Sequence, residues 1–359
     1  MVTKKPHLQN EIVLTKQFLD DPNKTLPARI FSTVGRIICK ITGRKEKETL
    51  PWQFNLAVLA LLVQIPTLIV SILLKEFEQW RRIGIVWMFY IELGIFATVL
   101  AHISVIYIYK NMNIYIVDRI LREEDLIDLR KTLAPVGNVK KSLYFTIAFT
   151  IFWCMSFTAV SSSYINEFIG YGLFTGTVVF GLFTGPAIYL EGCYFLLITH
   201  IGRYNFRLND TSPAHSEVIY RLSRIATLLM YSYAVFIAFS TIAVSFNIGA
   251  VLLVTLIGWV PTIIYFTGSQ LSIGRIVVSA KWISLNRIQE RIRSLNQGDI
   301  TEKKNIEAVI RLMDFHERIR ATPNSALNIV TGLNFLNQLA LPLFGLLLAN
   351  VEKLFQLMP

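Results

Sequence analysis

The chain has 359 residues, long enough for two or three ordinary soluble domains, yet only 16% are charged, against about 25% in soluble proteins. A mean hydropathy of +0.50, with 53% hydrophobic and 12% aromatic residues, excludes the disordered, collagen-like and disulfide-scaffold classes and leaves a membrane protein. The net charge of +11 fits the basic loops that a bilayer protein keeps in the cytosol, where they meet anionic headgroups, better than it fits a nucleic-acid surface.

About 20 nearly uncharged residues cross a hydrocarbon core about 30 Å thick. Residues 1–50 contain no such run. They are polar, carry ten Lys or Arg and are interrupted by Pro22 and Pro27, which predicts a basic cytosolic tail with no cleavable leader. The first crossing is predicted near Trp52 to Leu74 and the second near Ile83 to Tyr109, joined by the short link KEFEQWRR. After the polar stretch Lys110 to Lys141, in which Val117, Ile120 and Leu121 suggest a short interfacial helix, Ser142 to Asn166 forms a third crossing and a fourth begins at Phe168. The uncharged run Ile225 to Gly274 is 50 residues, about 75 Å as helix, too long for one crossing. It must fold back, with Asn247-Ile248-Gly249 as the turn between helices five and six.

From Lys281 to Gln297, Leu285, Ile288, Ile292 and Leu295 make one amphipathic stripe. Gln297-Gly298 ends it, and Asp299 with Glu302 reads as a capping box opening a second helix, striped by Ile306, Ile310 and Met313 and running toward Ile319. The expected fold is therefore all-α: a polytopic bundle of seven transmembrane helices in the plasma membrane, with a cytosolic N-terminus. Its regions are the tail (1–50), a six-helix region (51–274), a cytosolic helical hairpin (275–325), and the seventh helix near Asn328 to Asn350 with a short tail (326–359). With this threading 31 of the 35 Lys and Arg fall on the cytosolic side and 4 on the other. One helix more or fewer would destroy that bias.

Ionisable side chains at membrane depth cost several kcal/mol unless paired, neutral or hydrated, so they are the first functional candidates. Glu92 lies about ten residues into the second crossing and is either an acid hydrogen-bonded across to another helix or a carboxylate that binds a cation. His102 lies on the same helix, about 80° away. Glu191 and His200 follow Gly185-Pro186 on the fourth crossing, with Glu191 expected toward the cytosolic boundary. The repeat Gly172-Leu-Phe-Thr-Gly176 and Gly181-Leu-Phe-Thr-Gly185 supplies two GxxxG units, suited to close helix packing or to a glycine-lined path. On helix seven, Asn334, Asn337 and Gln338 share one face and either join helices or subunits or line a pore. Pro66, Pro186, Pro261 and Pro342 fall inside predicted crossings, where Pro is well tolerated; a helix broken at one of them would instead free carbonyls that could bind ions. No P-loop, GxSxG or HExxH sequence occurs, and the three cysteines imply neither a disulfide framework nor a zinc site. No catalytic residue, metal site or cofactor is expected. The cluster Asp314-Phe-His316-Glu317-Arg318-Ile-Arg320 is a further polar group near the inner boundary.

The stretch His316-Glu-Arg-Ile-Arg-Ala-Thr-Pro-Asn-Ser, with Leu333-Asn-Phe-Leu-Asn-Gln-Leu-Ala-Leu-Pro-Leu and Leu348-Ala-Asn, resembles the C-terminus of prokaryotic multi-pass membrane proteins with no assigned activity. In topology, seven crossings with a long cytosolic helical segment before the last are similar to the insect odorant and gustatory receptors. That resemblance implies a tetrameric cation channel built around the seventh helix, although the family's TY…QF signature has no counterpart between Thr331 and Asn350. Three classes fit these residues: a transport or channel-type bundle for a small solute or cation, a membrane scaffold, and a lipid-handling enzyme. The last would need Glu191, His200 and the His316 cluster in one cleft. An oligomer would use the last helix and the hairpin, and the constant partner is the bilayer.

Overall fold

The computed structural model describes residues 6–21, 24–41, 77–164, 170–209, 212–243, 248–296 and 303–324, with single helical positions between 58 and 73. These residues form α1 (Pro6–Leu19), α2 (Leu26–Ile41), α3 (Phe77–Asn111), α4 (Glu123–Leu133), α5 (Val139–Tyr164), α6 (Gly170–Ile201), α7 (Glu217–Ala243), α8 (Ile248–Asn296) and α9 (Lys303–Ala321). Among them no strand forms beyond an isolated antiparallel bridge between Ile120 and Phe206. Five segments are long and apolar enough to cross a bilayer: Ile91–Arg119, Val139–Ala159, Phe174–Ile201, Glu217–Thr241 and Val260–Leu295. The protein is an all-helical, multi-pass membrane protein. The predicted seventh crossing, and the first apart from scattered helical positions, lie outside the described residues.

The centre of the bundle is α6, which packs against α3 on one side and α5 on the other. Lipid supplies no hydrophobic drive between helices, so close backbone approach must provide the van der Waals contact. On the α5 side, a Cβ built on Gly181 would lie 2.9 Å from Cγ2 of Thr150, and one on Gly185 would lie 2.9 Å from Cα of Thr146. On the α3 side the glycine belongs to α3: a Cβ on Gly94 would lie 3.1 Å from the carbonyl oxygen of Phe180. Thr98 donates its hydroxyl to the Phe183 carbonyl across the same contact. Gly176 is buried in α6. The surroundings of Gly172 are outside the described side chains.

The prolines do not break their helices. Both α6 and α8 run through Pro186 and Pro261 without interruption, because the lost hydrogen bond is local and neighbouring hydroxyls and packing hold the flanking turns. Pro66 and Pro342 lie outside the described residues.

Three expectations differ from the structure. Residues of the N-terminal tail fold into two helices against the bundle. In α1, Ile12, Thr15 and Leu19 are buried, and Arg130 of α4 pairs with Glu11 while Lys16 meets Asp118 at 2.6 Å. In α2, Phe31 packs into a cluster with Ile91, Ile95 and Val99 of α3. Ten basic residues had dominated the average over this segment and hidden its apolar faces. Second, Val117, Ile120 and Leu121 do not form an interfacial helix. A π turn (Met112–Ile116) and a 3-10 turn (Val117–Arg119) end α3, Val117 and Ile120 are fully buried, and the helix that follows is α4. There Tyr204, beyond α6, donates to Asp128 at 2.8 Å. Burial, reinforced by that carboxylate, holds its hydroxyl protonated well above the ordinary tyrosine range.

The third difference concerns the hairpin. No break separates the sixth crossing from it: α8 is one helix of 49 residues, about 74 Å long. The first stripe is confirmed in part, with Leu285 and Ile288 buried against Ile319, Leu312 and Phe315. In α9, however, Ile306, Ile310 and Met313 are exposed. The packed stripe lies about 150° round the helix, on nearly the opposite face, at Leu312, Phe315 and Ile319, so two apolar stripes competed and tertiary packing chose between them. Lys281 ties the end of α9 to α8, donating to the Thr322 carbonyl at 2.7 Å and to Oδ1 of Asn324 at 3.0 Å. The turn at 297–298 and the capping box at 299–302 lie outside the described residues.

Gly185→Ala is expected to lower the melting temperature in detergent by forcing α5 off α6, at a cost of about 1–3 kcal/mol. Gly192→Ala, on the same helix but with nothing within 4 Å of its added Cβ, should leave it unchanged or slightly raised.

Candidate functional site

The buried carboxylates are sorted by their neighbours. Glu92 of α3 accepts a hydrogen bond from Nε2 of Gln64 at 2.9 Å. It therefore joins α3 to residues of the predicted first crossing. His102, ten residues further, stands edge-on to Phe31 of α2 with ring centroids 5.7 Å apart, and its Nδ1 has no hydrogen-bond partner among the described residues. The structure brings Glu92, His102 and Glu191 into no common site. Asn334, Asn337 and Gln338 lie outside the described residues.

Glu191 has a different setting. It lines a small cavity of about 20 Å³ between α3, α6 and α7, together with Ala97 and Ala101, Thr184 and Ala187, and Ser232 and Tyr233. Such a volume holds about one water molecule. The space exists because three alanines face it where larger side chains would close it. No hydrogen bond or ion pair reaches the Glu191 carboxyl from the described residues. Its electrostatic neighbours are the phenols of Tyr194, Tyr233 and Tyr265 on α6, α7 and α8, and two of these, on Tyr194 and Tyr265, are buried with no hydrogen-bond partner among the described residues.

Depth can be read from the basic residues on each helix. Lys110 is nine residues beyond Ala101, Arg224 eight residues before Ser232, and Arg203 twelve beyond Glu191. At 1.5 Å per residue the cavity lies about 12–18 Å along the helices from these basic residues. Arg203 lies past the end of the helix and is a poorer guide to depth than Lys110 and Arg224.

The hydroxyls of the bundle divide into those that bond within their own helix and those that have no partner among the described residues, Ser142, Thr177 and Thr184. Thr146, Thr150, Thr241, Thr262 and Ser240 each donate to the carbonyl one turn earlier, the usual way a helix satisfies a buried hydroxyl. Thr184 does not: its Oγ1 is buried with no partner among the described residues. Ser232 gives its proton to the Leu229 carbonyl at 2.8 Å, which leaves its oxygen lone pairs free.

Glu191, His200 and the His316 cluster do not converge. His200 bonds through Nδ1 to the Leu196 carbonyl of its own helix at 2.8 Å, and Nε2 of Gln289 on α8 lies 3.3 Å from Nε2 of His316. Two larger hollows open elsewhere. A groove of about 570 Å³ between α3 and α7 contains Tyr107, Tyr220 and Arg224, and a recess of about 1220 Å³ beside α4 contains Arg122, Arg207 and Arg287. Among the described residues no three His, Cys, Asp or Glu side chains gather as a metal-binding group.

The sequence does not mark Thr184, Ser232, Tyr194, Tyr233 and Tyr265, because hydroxyls inside apolar helices carry no charge. The available signal was the pairing of small residues, Ala97 with Ala101 and Ala187 near Glu191. Comparison of the chain with protein-family models, with curated proteins and with solved structures finds no match.

Glu92→Leu removes one hydrogen bond from the Gln64 amide and should lower detergent stability by about 1–3 kcal/mol. Glu92→Gln keeps an acceptor at the same place and should cost less, which paired thermal melts will check.

Proposed function

We propose that the protein is a transport or channel-type bundle that moves a small solute or cation across the membrane, and that Glu191 is its central polar residue. The observation that carries this reading is the setting of Glu191: it lines a cavity between three helices, with no cationic partner among the described residues. An isolated ion in such surroundings costs several kcal/mol, so an arrangement that only joined helices would be expected to pair it, as Gln64 pairs Glu92. The cavity's small size fits a closed state with room for one small occupant. The enzyme reading has less support, since the three polar groups it requires are apart.

The full reading places seven crossings in the plasma membrane, with the N-terminus in the cytosol and the two ends of the chain on opposite sides. Arg224 in the α3–α7 groove and the arginines beside α4 would then meet anionic headgroups at the inner face. Oligomerisation would use the last helix and the hairpin, where Ile306, Ile310 and Met313 are exposed on α9.

Flux of protons, alkali cations and small neutral solutes into liposomes containing the full chain tests the function. Glu191→Gln is expected to reduce flux about tenfold or more, which is over 1.4 kcal/mol of lost stabilisation, while Glu92→Gln leaves it near the parent level. Background flux in the parent for every solute would end the transport reading. Reporter tags at the two ends should label opposite sides of the membrane; labelling on one side would overturn the seven-crossing topology.

A further inference from the structure

Within the proposed reading of the Glu191 cavity, the chemistry of its walls narrows the occupant. Every polar side chain among the lining residues ends in oxygen: the Glu191 carboxylate, the hydroxyls of Thr184 and Ser232, and the phenol of Tyr233. Hard monovalent and divalent cations prefer oxygen donors, whereas transition metals take nitrogen and sulfur. One carboxylate neutralises one positive charge. A divalent ion would leave a net charge in a low dielectric, and no second carboxylate lines the cavity to remove it.

We propose that the cavity between α3, α6 and α7 is a binding site for one desolvated alkali cation, held by the Glu191 carboxylate and the hydroxyl oxygens of Thr184 and Ser232. The charge of the ion and that of the carboxylate cancel, which removes the cost of burying Glu191. Thr184 is 1% exposed and its Oγ1 is buried with no partner among the described residues, while the Ser232 oxygen keeps its lone pairs because its proton is already donated. The volume of about 20 Å³ admits one water-sized occupant. A hydrated ion does not fit, so the hydroxyls must replace its water shell. The titratable groups facing Glu191 are Tyr194, Tyr233 and Tyr265, none of them cationic, so no protein charge competes with the ion.

The test measures binding separately from transport. The purified full-length protein in detergent is titrated with lithium, sodium or potassium chloride against choline chloride at constant ionic strength, by calorimetry and by thermal melting. At least one alkali ion should bind once per chain and raise the melting temperature, as mass action requires of a ligand that binds only the folded state. Glu191→Gln and Thr184→Val should each weaken that binding about tenfold or more, and Glu92→Gln should not. Ala101→Ile, which fills the cavity and leaves the carboxyl in place, should also abolish the cation-dependent rise in melting temperature. Thr184→Val should leave the melting temperature in choline unchanged, because the hydroxyl it removes has no protein partner. Melting and heat that are the same in all alkali salts and in choline overturn the proposal, whether water or a proton then occupies the cavity. Saturable cation binding without flux would leave the site standing and defeat the transport reading, and flux without cation binding would do the reverse.

Discussion

The contact on which the bundle depends is the close approach of α6 to its two neighbours. Gly181 and Gly185 leave no room for a side chain against Thr150 and Thr146 of α5, and Gly94 of α3 meets the backbone of α6 at Phe180. In a bilayer, helices gain nothing by hiding apolar surface from lipid, so stability has to come from van der Waals contact at short range and from hydrogen bonds such as Thr98 to the Phe183 carbonyl. The cavity follows from this packing. One and a half turns after Gly185, α6 carries Glu191 into the gap that Ala97, Ala101 and Ala187 leave between α3 and α7.

The same constraint explains how the polar residues are distributed. Where water is absent each hydroxyl must find an acceptor, and most threonines and serines of the crossings use the carbonyl one turn back in their own helix. Glu92 meets the requirement by joining the Gln64 amide. Among the described residues Ser142, Thr177, Thr184, Tyr194 and Tyr265 have hydroxyls without a partner, and the last three lie in or beside the cavity that Glu191 lines. Unsatisfied groups are costly singly. Several in one place, around a space of water size, indicate an occupant more readily than they indicate several independent defects.

At the basic end of the bundle the chain is stitched together by ordinary soluble-protein interactions. The α1–α4 ion pair of Glu11 and Arg130, the Tyr204–Asp128 hydrogen bond and the bridge between Ile120 and Phe206 join segments far apart in sequence. The continuous α8 carries the membrane-spanning part directly into the hairpin, and Lys281 fastens α9 to it.

What the sequence alone determined is the class of protein and the location of the crossings it shares with the structure. Runs of uncharged residues near Ile83 to Tyr109, Ser142 to Asn166, from Phe168, and Ile225 to Gly274 all became long helices, because a helix is the backbone's local solution to lipid and needs no distant partner. The stripe at Leu285 and Ile288 was legible for the same reason, being a property of one helix. Tertiary structure decided whatever depends on a second segment. It chose Leu312, Phe315 and Ile319 over Ile306, Ile310 and Met313, folded Phe31 onto α3, and separated Glu92 from Glu191. Both carboxylates looked alike along the chain. Their difference lies in the neighbour that packing supplies, a Gln64 amide for one and an unfilled space for the other, and the spacing of residues within a single helix carries no information about either.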